Sequence, residues 1–431
     1  MRSVARNSVF LLSSQAASIL IRFAYLFILV RALSPSTYGA LNYALSWYLV
    51  LLPMTYLGSD VILGREVTRN RQNAPRLLGA TLGLRICAVL LVMLASIAAV
   101  GAAENDPQVR SVIVIFSFTL IGRGLWMWSG SVFTAFEQAH LLLRFELLSR
   151  LIEIAVLIAL LETYGPDLRA IAIVHASSWF LQAVGSIASI WRRYGISFHW
   201  PKRDWGAVLR DGIPGAIFAV ALGAFFQLPV MLFRHVVGIG DALGNFALGF
   251  QIVTYLLTIP YVVSQAALPV LSRNMAIDIH KTRKVVTILA APILLGGAAV
   301  ALTGSLVTGL FIVALFGPAY ASAAAVLGWG LWLLIPASLA MLVQQMLFTT
   351  SKRSIAAALA PVAGVACMCL VFPQFVRAEG AQGALWAISW GLVVWLVCAL
   401  VGARERLLHT GRSCKTSSEV GGVSSIGEPN P

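Results

Sequence analysis

The chain has 431 residues, of which 59% are hydrophobic and 11% are charged, and its mean hydropathy is +0.86. These values exclude a soluble globular fold, because so few polar residues cannot cover its surface. The net charge of +14 does not indicate a nucleic-acid partner, since the basic residues are spread over short loops between apolar segments, as membrane topology requires. The composition therefore predicts an all-α polytopic membrane protein.

Apolar runs of about 20 residues between polar breaks predict about twelve membrane-spanning helices. They cover approximately 8–30, 38–57, 78–100, 111–133, 147–163, 169–190, 212–234, 242–268, 287–316, 322–350, 354–375 and 383–402. A basic, aromatic break at 191–211 separates two sets of six. We therefore expect two six-helix bundles, at 1–200 and 201–405, and a disordered cytoplasmic tail at 406–431, which is rich in Ser and Gly.

The two halves share a short sequence similarity. The segment 38–44 resembles the segment 243–248 at an offset of 205 residues. Because each half has an even number of helices, such repeats point the same way and are related by an axis along the membrane normal, which is typical of transporters. Chance similarity between two apolar helices is the alternative explanation.

The distribution of basic residues predicts the orientation. With the N-terminus in the cytoplasm, the inside segments hold 23 Lys and Arg residues and the outside loops hold 5. This bias places both termini in the cytoplasm.

The first span contains a positive charge, Arg22, about 5 Å from its midpoint. A central arginine costs about 2.5 to 3.5 kcal/mol on insertion scales, so Arg22 should face protein or a wet cavity. Gln15 and Tyr25 lie on the same helical face, which predicts a polar lumen. The alternative is a charge that snorkels to the interface or pairs within a bundle.

Two further arginines lie within spans of the first half. Arg123 is near the middle of the fourth span, whereas Arg85 is near the cytoplasmic end of the third and could snorkel. Gly122 and Gly124 flank Arg123, and we expect them to leave room for a ligand. Three unpaired charges would be costly in a membrane, so the pattern predicts a cavity that attracts an anion. Arginine suits phosphate because its planar fork can bind two oxygens.

Glu153 is the acid that lies well inside a predicted span. Its spacing from Arg150 favours an intrahelical ion pair at the membrane edge, and the alternative is a carboxylate that couples transport to protons. His175 and His235 stand alone in the sequence and are interpreted as structural residues. On the eighth span Gln251 and Tyr255 lie on one polar face, which either binds sugars or joins helices.

Metal and cofactor sites are not expected. Of the five cysteines, Cys367 and Cys369 are closest in sequence, but on a helix they are about 200° apart and cannot bind one metal. The outside loops are short, about ten residues at most, so the sequence offers no loop large enough to carry the catalytic groups of a membrane-embedded polymerase or ligase.

Several segments resemble the bacterial polysaccharide flippases of the multidrug, oligosaccharidyl-lipid and polysaccharide exporter superfamily. The resemblance rests first on the run LVRALSPSTYGALNYALSWYLVLLPMTYLGSDVILGREVTRN and the RLLGATLGLR that follows it. The motif residues are Arg31, Leu33-Ser34-Pro35, Tyr38-Gly39, Leu57-Gly58 and Arg65, with Ser34 where the family has glycine. The segments QAALPVLSR at 265–273 and LFGPAYASAAAVL at 315–327 also match, and the resemblance extends over about residues 5–405.

The resemblance implies two bundles around a central cavity that moves a polyprenyl-pyrophosphate-linked oligosaccharide across the bacterial inner membrane by alternating access. The expected substrate-binding residues are then Arg22, Arg85, Arg123, Tyr25 and Gln15, with Glu153 as a coupling residue. Polysaccharide assembly proteins are the class of partner that this implies, and the sequence specifies none of them. A multidrug or other small-molecule exporter of the same superfamily is the main alternative, and a glycan polymerase or ligase is the second.

Overall fold

The computed structural model describes residues 19–57, 63, 67, 71–197, 202–277, 279–348 and 354–420. Within these ranges the regular structure is helical, without a β-strand. The helices in chain order are α1 (19–32), α2 (Pro35–Leu51), α3 (Ala74–Ala103), α4 (Pro107–Ala135), α5 (Ala139–Tyr164), α6 (Leu168–Tyr194), α7 (Lys202–Val237), α8 (Asp241–Ile277), α9 (Ile279–Phe316), α10 (Ala323–Gly330), α11 (Leu334–Phe348) and α12 (Ser354–Val420). Gln15 lies outside the described residues.

The protein is an all-α polytopic membrane protein with about twelve spans. Eight stretches of the described residues are long and apolar enough to cross a membrane. One of them, Ala357–Gly402 within α12, holds two crossings, because Gly380 breaks the helix with φ 59°. Helix α5 falls outside the eight although it has 26 residues, because its charged side chains lower its apolarity. The consecutive α10 and α11 form one of the eight stretches, and helices α1 and α2 complete the set.

The outward surface of the helices is apolar, as a bilayer requires. Leu306 is 81% exposed and Leu370 is 75% exposed. A soluble protein rarely exposes large contiguous apolar patches, so these side chains face lipid.

One end of the molecule, here called the outer end, is formed by short helix-to-helix turns at 33–34, 104–106, 165–167, 238–240, 317–322 and 380. Side chains in these turns begin the next helix. Ser34 caps α2 by accepting a bond from the Thr37 N–H, and Asp106 caps α4 by accepting from Gln108 at 2.8 Å. Each cap satisfies backbone donors that the first helical turn leaves unpaired, so the chain reverses within two or three residues.

The helix α12 extends further than expected. It continues to Val420, so residues 406–420 are helical where the sequence analysis expects a disordered tail. The segment from Ala403 to Leu408 contains good helix formers, which allow the last span to propagate beyond the membrane. Residues 421–431 lie outside the described part of the chain.

The helices form two lobes. In the N-terminal lobe (α1–α6), α4 packs against both α3 and α6, and α5 packs against α6. In the C-terminal lobe (α7–α12), α12 packs against α7 and α11. The lobes meet where α2 lies against α7 and α8.

The meeting point of α2 and α8 has the symmetry that the repeat predicts. A Cβ atom on Gly39 would lie 2.7 Å from the backbone nitrogen of Gly244, its counterpart 205 residues later. Nearby, the Ser36 N–H donates to Asp241 Oδ1 at 3.1 Å, and these two residues also differ by 205. Contacts between equivalent positions occur next to a twofold axis. Both contacts join positions that the repeat makes equivalent, which supports the similarity between the halves.

Candidate functional site

A group of buried polar side chains lies inside the N-terminal lobe, between α5 and α6. Glu146, Arg150 and Glu153 lie on one face of α5, since they are spaced by four and three residues, and all are at least 92% buried. His175 and Gln182 face them from α6, spaced by seven residues, and are also buried. The helices therefore bury charge rather than presenting it to lipid.

Glu153 is the centre of this group. It forms an ion pair with Arg150, and its Oε1 lies 2.7 Å from Nδ1 of His175. Arg150 donates to Gln182 Oε1 at 3.2 Å, and Gln182 donates to Glu146 Oε2 at 3.3 Å. The expected intrahelical pair of Glu153 and Arg150 is present, and it belongs to a larger buried network.

The hydrogen bonds of His175 determine its tautomer. The indole N–H of Trp179 can only donate, so Nε2 of His175 accepts from it at 3.1 Å and carries no proton. The proton lies on Nδ1, which donates to Glu153. Tyr48 Oη lies 3.1 Å from the same Nε2 and shares that acceptor. His175 is therefore a neutral bridge between Glu153 and Tyr48 and not the isolated structural residue that the sequence analysis expects.

Arg123 continues the network toward the central cavity. Its Nη1 donates to Tyr48 Oη at 2.8 Å, and its guanidinium lies over the Trp179 ring, 4.7 Å from the ring centroid. Arg150 lies over the same indole at 3.8 Å. Among the described residues no carboxylate forms an ion pair with Arg123, and its buried Nε has no hydrogen-bond partner there. Aromatic rings and one hydroxyl therefore hold this cation without neutralising it.

Arg22 on α1 is the second cation of the cavity. Arg22 is exposed, yet it interacts electrostatically with Arg123, Glu146 and Tyr255, which lie on three other helices from both lobes. A side chain with these neighbours lies in the space between the lobes and not on the lipid surface. Within the described part of the chain, Arg22 makes no hydrogen bond or ion pair.

The local charge balance is positive. Arg22, Arg123 and Arg150 are opposed by Glu146 and Glu153, which leaves one net positive charge if all five are ionised. The repulsion between Arg22 and Arg123 is not relieved by a carboxylate bound to either of them, so an anion entering between them would be stabilised.

Arg85 has a different environment. It is 1% exposed and lies over the ring of Tyr56 at 5.2 Å. Tyr56 in turn interacts electrostatically with Arg123. The structure thus places Arg85 behind the cavity wall, where its guanidinium is shielded from a ligand in this conformation.

The glycines beside Arg123 do not leave room for a ligand, contrary to the sequence expectation. A Cβ atom on Gly122 would lie 2.5 Å from the backbone of Trp179, and one on Gly124 would lie 2.6 Å from the Val89 side chain. Both positions allow neighbouring helices to approach closely.

The sequence analysis missed Tyr48, His175 and Trp179. The spacing of His175 and Trp179 by four residues indicates a shared helical face, and that signal is present in the sequence. Their contacts with α2, α4 and α5 depend on how helices far apart in the chain pack, which no local pattern reveals. Tyr25, by contrast, is a predicted residue, and its ring centroid lies 6.0 Å from that of His175.

At the outer end, polar contacts join the two lobes. Arg31 at the end of α1 donates to the backbone oxygens of Leu315 and Ala314 on α9, at 2.7 and 3.2 Å. Arg234 at the end of α7 forms an ion pair with Glu104 at 2.8 Å. With the contact between Ser36 and Asp241, these bonds close the cavity on this side.

Tyr320 adds a further bond at the outer end. Burial, with a smaller contribution from Asp241, raises the pKa of the Tyr320 hydroxyl. The hydroxyl therefore stays protonated and donates to the Leu33 backbone oxygen at 3.0 Å. This contact links the turn before α10 to the turn after α1, across the lobes.

No group of three or more His, Cys, Asp or Glu side chains arranged to hold a metal ion occurs among the described residues. The polar groups of the site are instead suited to binding an anion or to moving a proton.

Comparisons with known proteins give both a family and a fold. The model of a family described as polysaccharide biosynthesis protein matches residues 4–275. No curated protein sequence matches the chain. Three similar solved structures are each 14% identical to it, a level at which the likeness concerns the fold.

An inward-facing multidrug resistance MATE family transporter of the MOP superfamily has a TM-score of 0.75, covering 95% of this chain and 99% of that one. The lipid II flippase MurJ in an inward closed conformation has a TM-score of 0.68, covering 93% and 87%. The Vibrio cholerae MATE transporter VcmN, as a mutant, has a TM-score of 0.67, covering 95% and 99%. The two-lobed fold is thus that of transporters and flippases.

Proposed function

Since this chain belongs to the polysaccharide biosynthesis protein family, we propose that it is a flippase that moves a polyprenyl-pyrophosphate-linked oligosaccharide from the cytoplasmic to the periplasmic leaflet of a bacterial inner membrane. Such a substrate combines an anionic pyrophosphate, a polar glycan and an apolar tail. The lipid tail stays in the bilayer while the headgroup and glycan pass through the cavity between the lobes.

The observation that carries the proposal is the pair of uncompensated cations, Arg22 and Arg123. A buried or cavity-lining cation without a carboxylate partner is costly in a membrane, and here two lie within electrostatic range of each other. A pyrophosphate would offset both charges, and the arginine fork matches its oxygens. Arg123 is held in place by Tyr48 and Trp179, so its side chain would lose little conformational entropy on binding.

Alternating access is supported by the asymmetry of the lobe contacts. The bonds of Arg31, Arg234 and Tyr320 close the outer end, while Arg22 keeps an accessible surface near the other half of the membrane. We propose that this conformation faces the cytoplasm and receives substrate there, which agrees with the bias of Lys and Arg toward the opposite end.

We also propose that Glu153 couples transport to protons. Protonation of its carboxylate would weaken both the ion pair with Arg150 and the bond from His175, and His175 leads through Tyr48 to Arg123. Protonation would thereby change the hydrogen bonds that hold Arg123, the cation proposed to bind substrate. Transport across a pH gradient that is unchanged in Glu153→Gln would exclude this role.

The alternative of a multidrug exporter for cationic compounds shares the fold. Such a site needs acids available to a cation. Here Glu153 is bound by Arg150 and His175, and Glu146 accepts a bond from Gln182. Both acids are engaged within the lobe, so the free charges toward the cavity are positive, which supports an anionic substrate.

The decisive experiment measures flipping of a fluorescent polyprenyl-pyrophosphate oligosaccharide in proteoliposomes. We expect Arg22→Ala and Arg123→Ala to reduce the rate at least about tenfold, since each loses a charge-assisted bond worth about 1.5 to 3 kcal/mol. Arg22→Lys should retain part of the rate, because a point charge remains without the fork.

Arg169→Ala is the matched control, since Arg169 lies on the outer surface and contacts Ser111 rather than the cavity. Wild-type rates in both cavity variants, after normal insertion, would contradict the headgroup site. A folded wild-type protein that flips no glycan lipid but exports cationic dyes would establish the exporter alternative.

A further inference from the structure

A small pocket lies between the lobes next to the arginine pair. Residues of α1, α2, α4 and α6 from one lobe and of α8 from the other line it, and its volume is about 40 Å³. A cavity that holds one buried water has about 10 to 15 Å³ when its volume is measured in the same way. The pocket therefore admits a substituent of about three or four non-hydrogen atoms and not a whole sugar ring. The pocket is thus sized for one chemical group of a larger ligand.

Asn42 contributes a buried hydrogen-bond acceptor to the pocket. Its side chain is among those that line the pocket and is 95% buried. Its Nδ2 donates to the Tyr38 hydroxyl at 3.1 Å, while its Oδ1 has no partner among the described residues. A buried acceptor without a donor is costly, about 1 to 3 kcal/mol, and such groups in native structures commonly mark a ligand or water position. The pocket therefore requires a group that donates a hydrogen bond.

The rest of the lining is neutral and consists of aliphatic and aromatic side chains with one further amide. Tyr25, Tyr38 and Phe116 provide ring faces and edges, and Gln251 provides a second amide. None of the side chains that line the pocket is charged. Neutral amides beside aromatic rings suit a carbohydrate substituent, whose polar hydrogens bond to amides while its C–H groups and methyls pack on rings.

Tyr255 connects this pocket to the proposed headgroup site. It lines the pocket and interacts electrostatically with Arg22, Arg123 and Tyr48. A ligand whose anionic group lies between the two arginines would present its adjoining portion to Tyr255. In a polyprenyl-pyrophosphate glycan that adjoining portion is the first sugar.

We propose that this pocket binds a hydrogen-bond-donating substituent, a hydroxyl or acetamido group, on the sugar attached to the pyrophosphate, with Asn42 Oδ1 as its acceptor. The pocket is then a specificity site: it selects glycan lipids by their first sugar, whereas the arginines bind any pyrophosphate. The inference rests on the proposed function, because it places the sugar relative to the pyrophosphate site.

The test compares synthetic polyprenyl-pyrophosphate monosaccharides in the flipping assay with the wild-type protein. One series varies the sugar substituent at each ring position in turn, from acetamido and hydroxyl to fluoro and hydrogen, which cannot donate. We expect one position at which loss of the donor reduces the ratio of kcat to KM about tenfold or more, because Asn42 Oδ1 is then left unpaired. Equal rates for every member of the series would overturn the proposal, as would a preference for substituents that only accept.

Variants test the assignment to Asn42. Asn42→Leu has similar volume and no acceptor. The ratio of kcat to KM should then be about the same for the hydrogen-bond-donating and the fluoro substituent, while the protein still flips the fluoro analogue. Thr303→Val is the control, since Thr303 is exposed, bonds within α9 to the backbone oxygen of Ala299 and does not line the pocket. Undiminished selectivity in a folded Asn42→Leu protein would overturn the role of Asn42.

The two proposals fail differently. If the wild-type protein flips no member of the series, the flippase function is wrong. If it flips all of them with a rate that depends on Arg22 and Arg123 but not on the substituent, the flippase function stands and the sugar pocket is wrong.

Discussion

Tyr48 is the residue through which the interior of the N-terminal lobe reaches the cavity. Its hydroxyl accepts from Arg123 and shares Nε2 of His175, and its ring stacks on Phe116 at a centroid distance of 5.7 Å. A single hydroxyl therefore joins a cation, which is proposed to bind substrate, to a histidine and carboxylate that can take up a proton. The side chain is fully buried, so its orientation is fixed by packing.

We expect Tyr48→Phe to separate these roles, because the ring and its cation–π contact with Arg123 are retained and only the hydroxyl is lost. The flipping KM should rise about tenfold, since a hydrogen bond to a charged group contributes about 1.5 to 3 kcal/mol and Arg123 loses its fixed position. Tyr164→Phe, at the exposed end of α5, is the control and should change nothing. An unchanged KM would mean that the Tyr48 hydroxyl does not position Arg123.

The crossing of α2 and α8 is the element on which closure of the outer end depends. Gly244 lies so near Pro35 that a Cβ atom would be 1.8 Å from its backbone oxygen. Backbone atoms cannot rotate away as a side chain can, so a larger residue has to separate the helices. Close approach through glycine is how membrane helices gain packing energy without a hydrophobic driving force.

We expect Gly244→Ala to open the outer end. Overpacking typically costs about 1 to 3 kcal/mol, and here the cost applies only when the two lobes touch, so the outward-open conformation gains population. Spin labels at positions 166 and 378, one on each lobe, should report a longer distance in the variant. Gly240→Ala is the control because a Cβ atom there meets nothing within 4 Å. An unchanged distance distribution in Gly244→Ala would contradict this account of closure.

The start of a helix could be predicted where the local sequence contains a signal for it. Ser34-Pro35 and Asp106-Pro107 combine a capping side chain with proline at the first helical position, so the starts of α2 and α4 lie within a few residues of the predicted spans. The end of α12 was not predictable in this way, because Gly402, the last residue of the predicted span, lies within the helix and does not end it.

The sequence predicts the overall architecture of the molecule better than the contacts between its buried side chains. Apolar runs of fixed length predict the number of spans, because bilayer thickness sets that length. Arg22 and Arg123 could be identified because charge is rare in such spans. The links from Glu153 through His175 and Tyr48 to Arg123 could not, since these residues lie on four helices, are separated by up to 127 residues and meet only after packing.

Orientation of the whole chain is still a prediction, and it has a direct test. We expect Pro166→Cys, at the outer end, to react with a membrane-impermeant maleimide in intact cells, and His140→Cys, at the opposite end, to react only after permeabilisation. The measurement uses a background without the native cysteines. Labelling in the reverse pattern would mean that the outer end faces the cytoplasm, and the proposed direction of transport would be reversed.

The contact of Gly39 with Gly244 implies an ancestry. If a single six-helix unit formed a homodimer about the same axis, each copy would place this glycine against itself, and a residue larger than glycine could not be accepted in either subunit. Duplication and fusion of such a gene would preserve the pair, since neither glycine could change alone. Among the described residues the buried arginines and acids lie in the N-terminal half, so the two halves are alike where they touch and differ in their interiors.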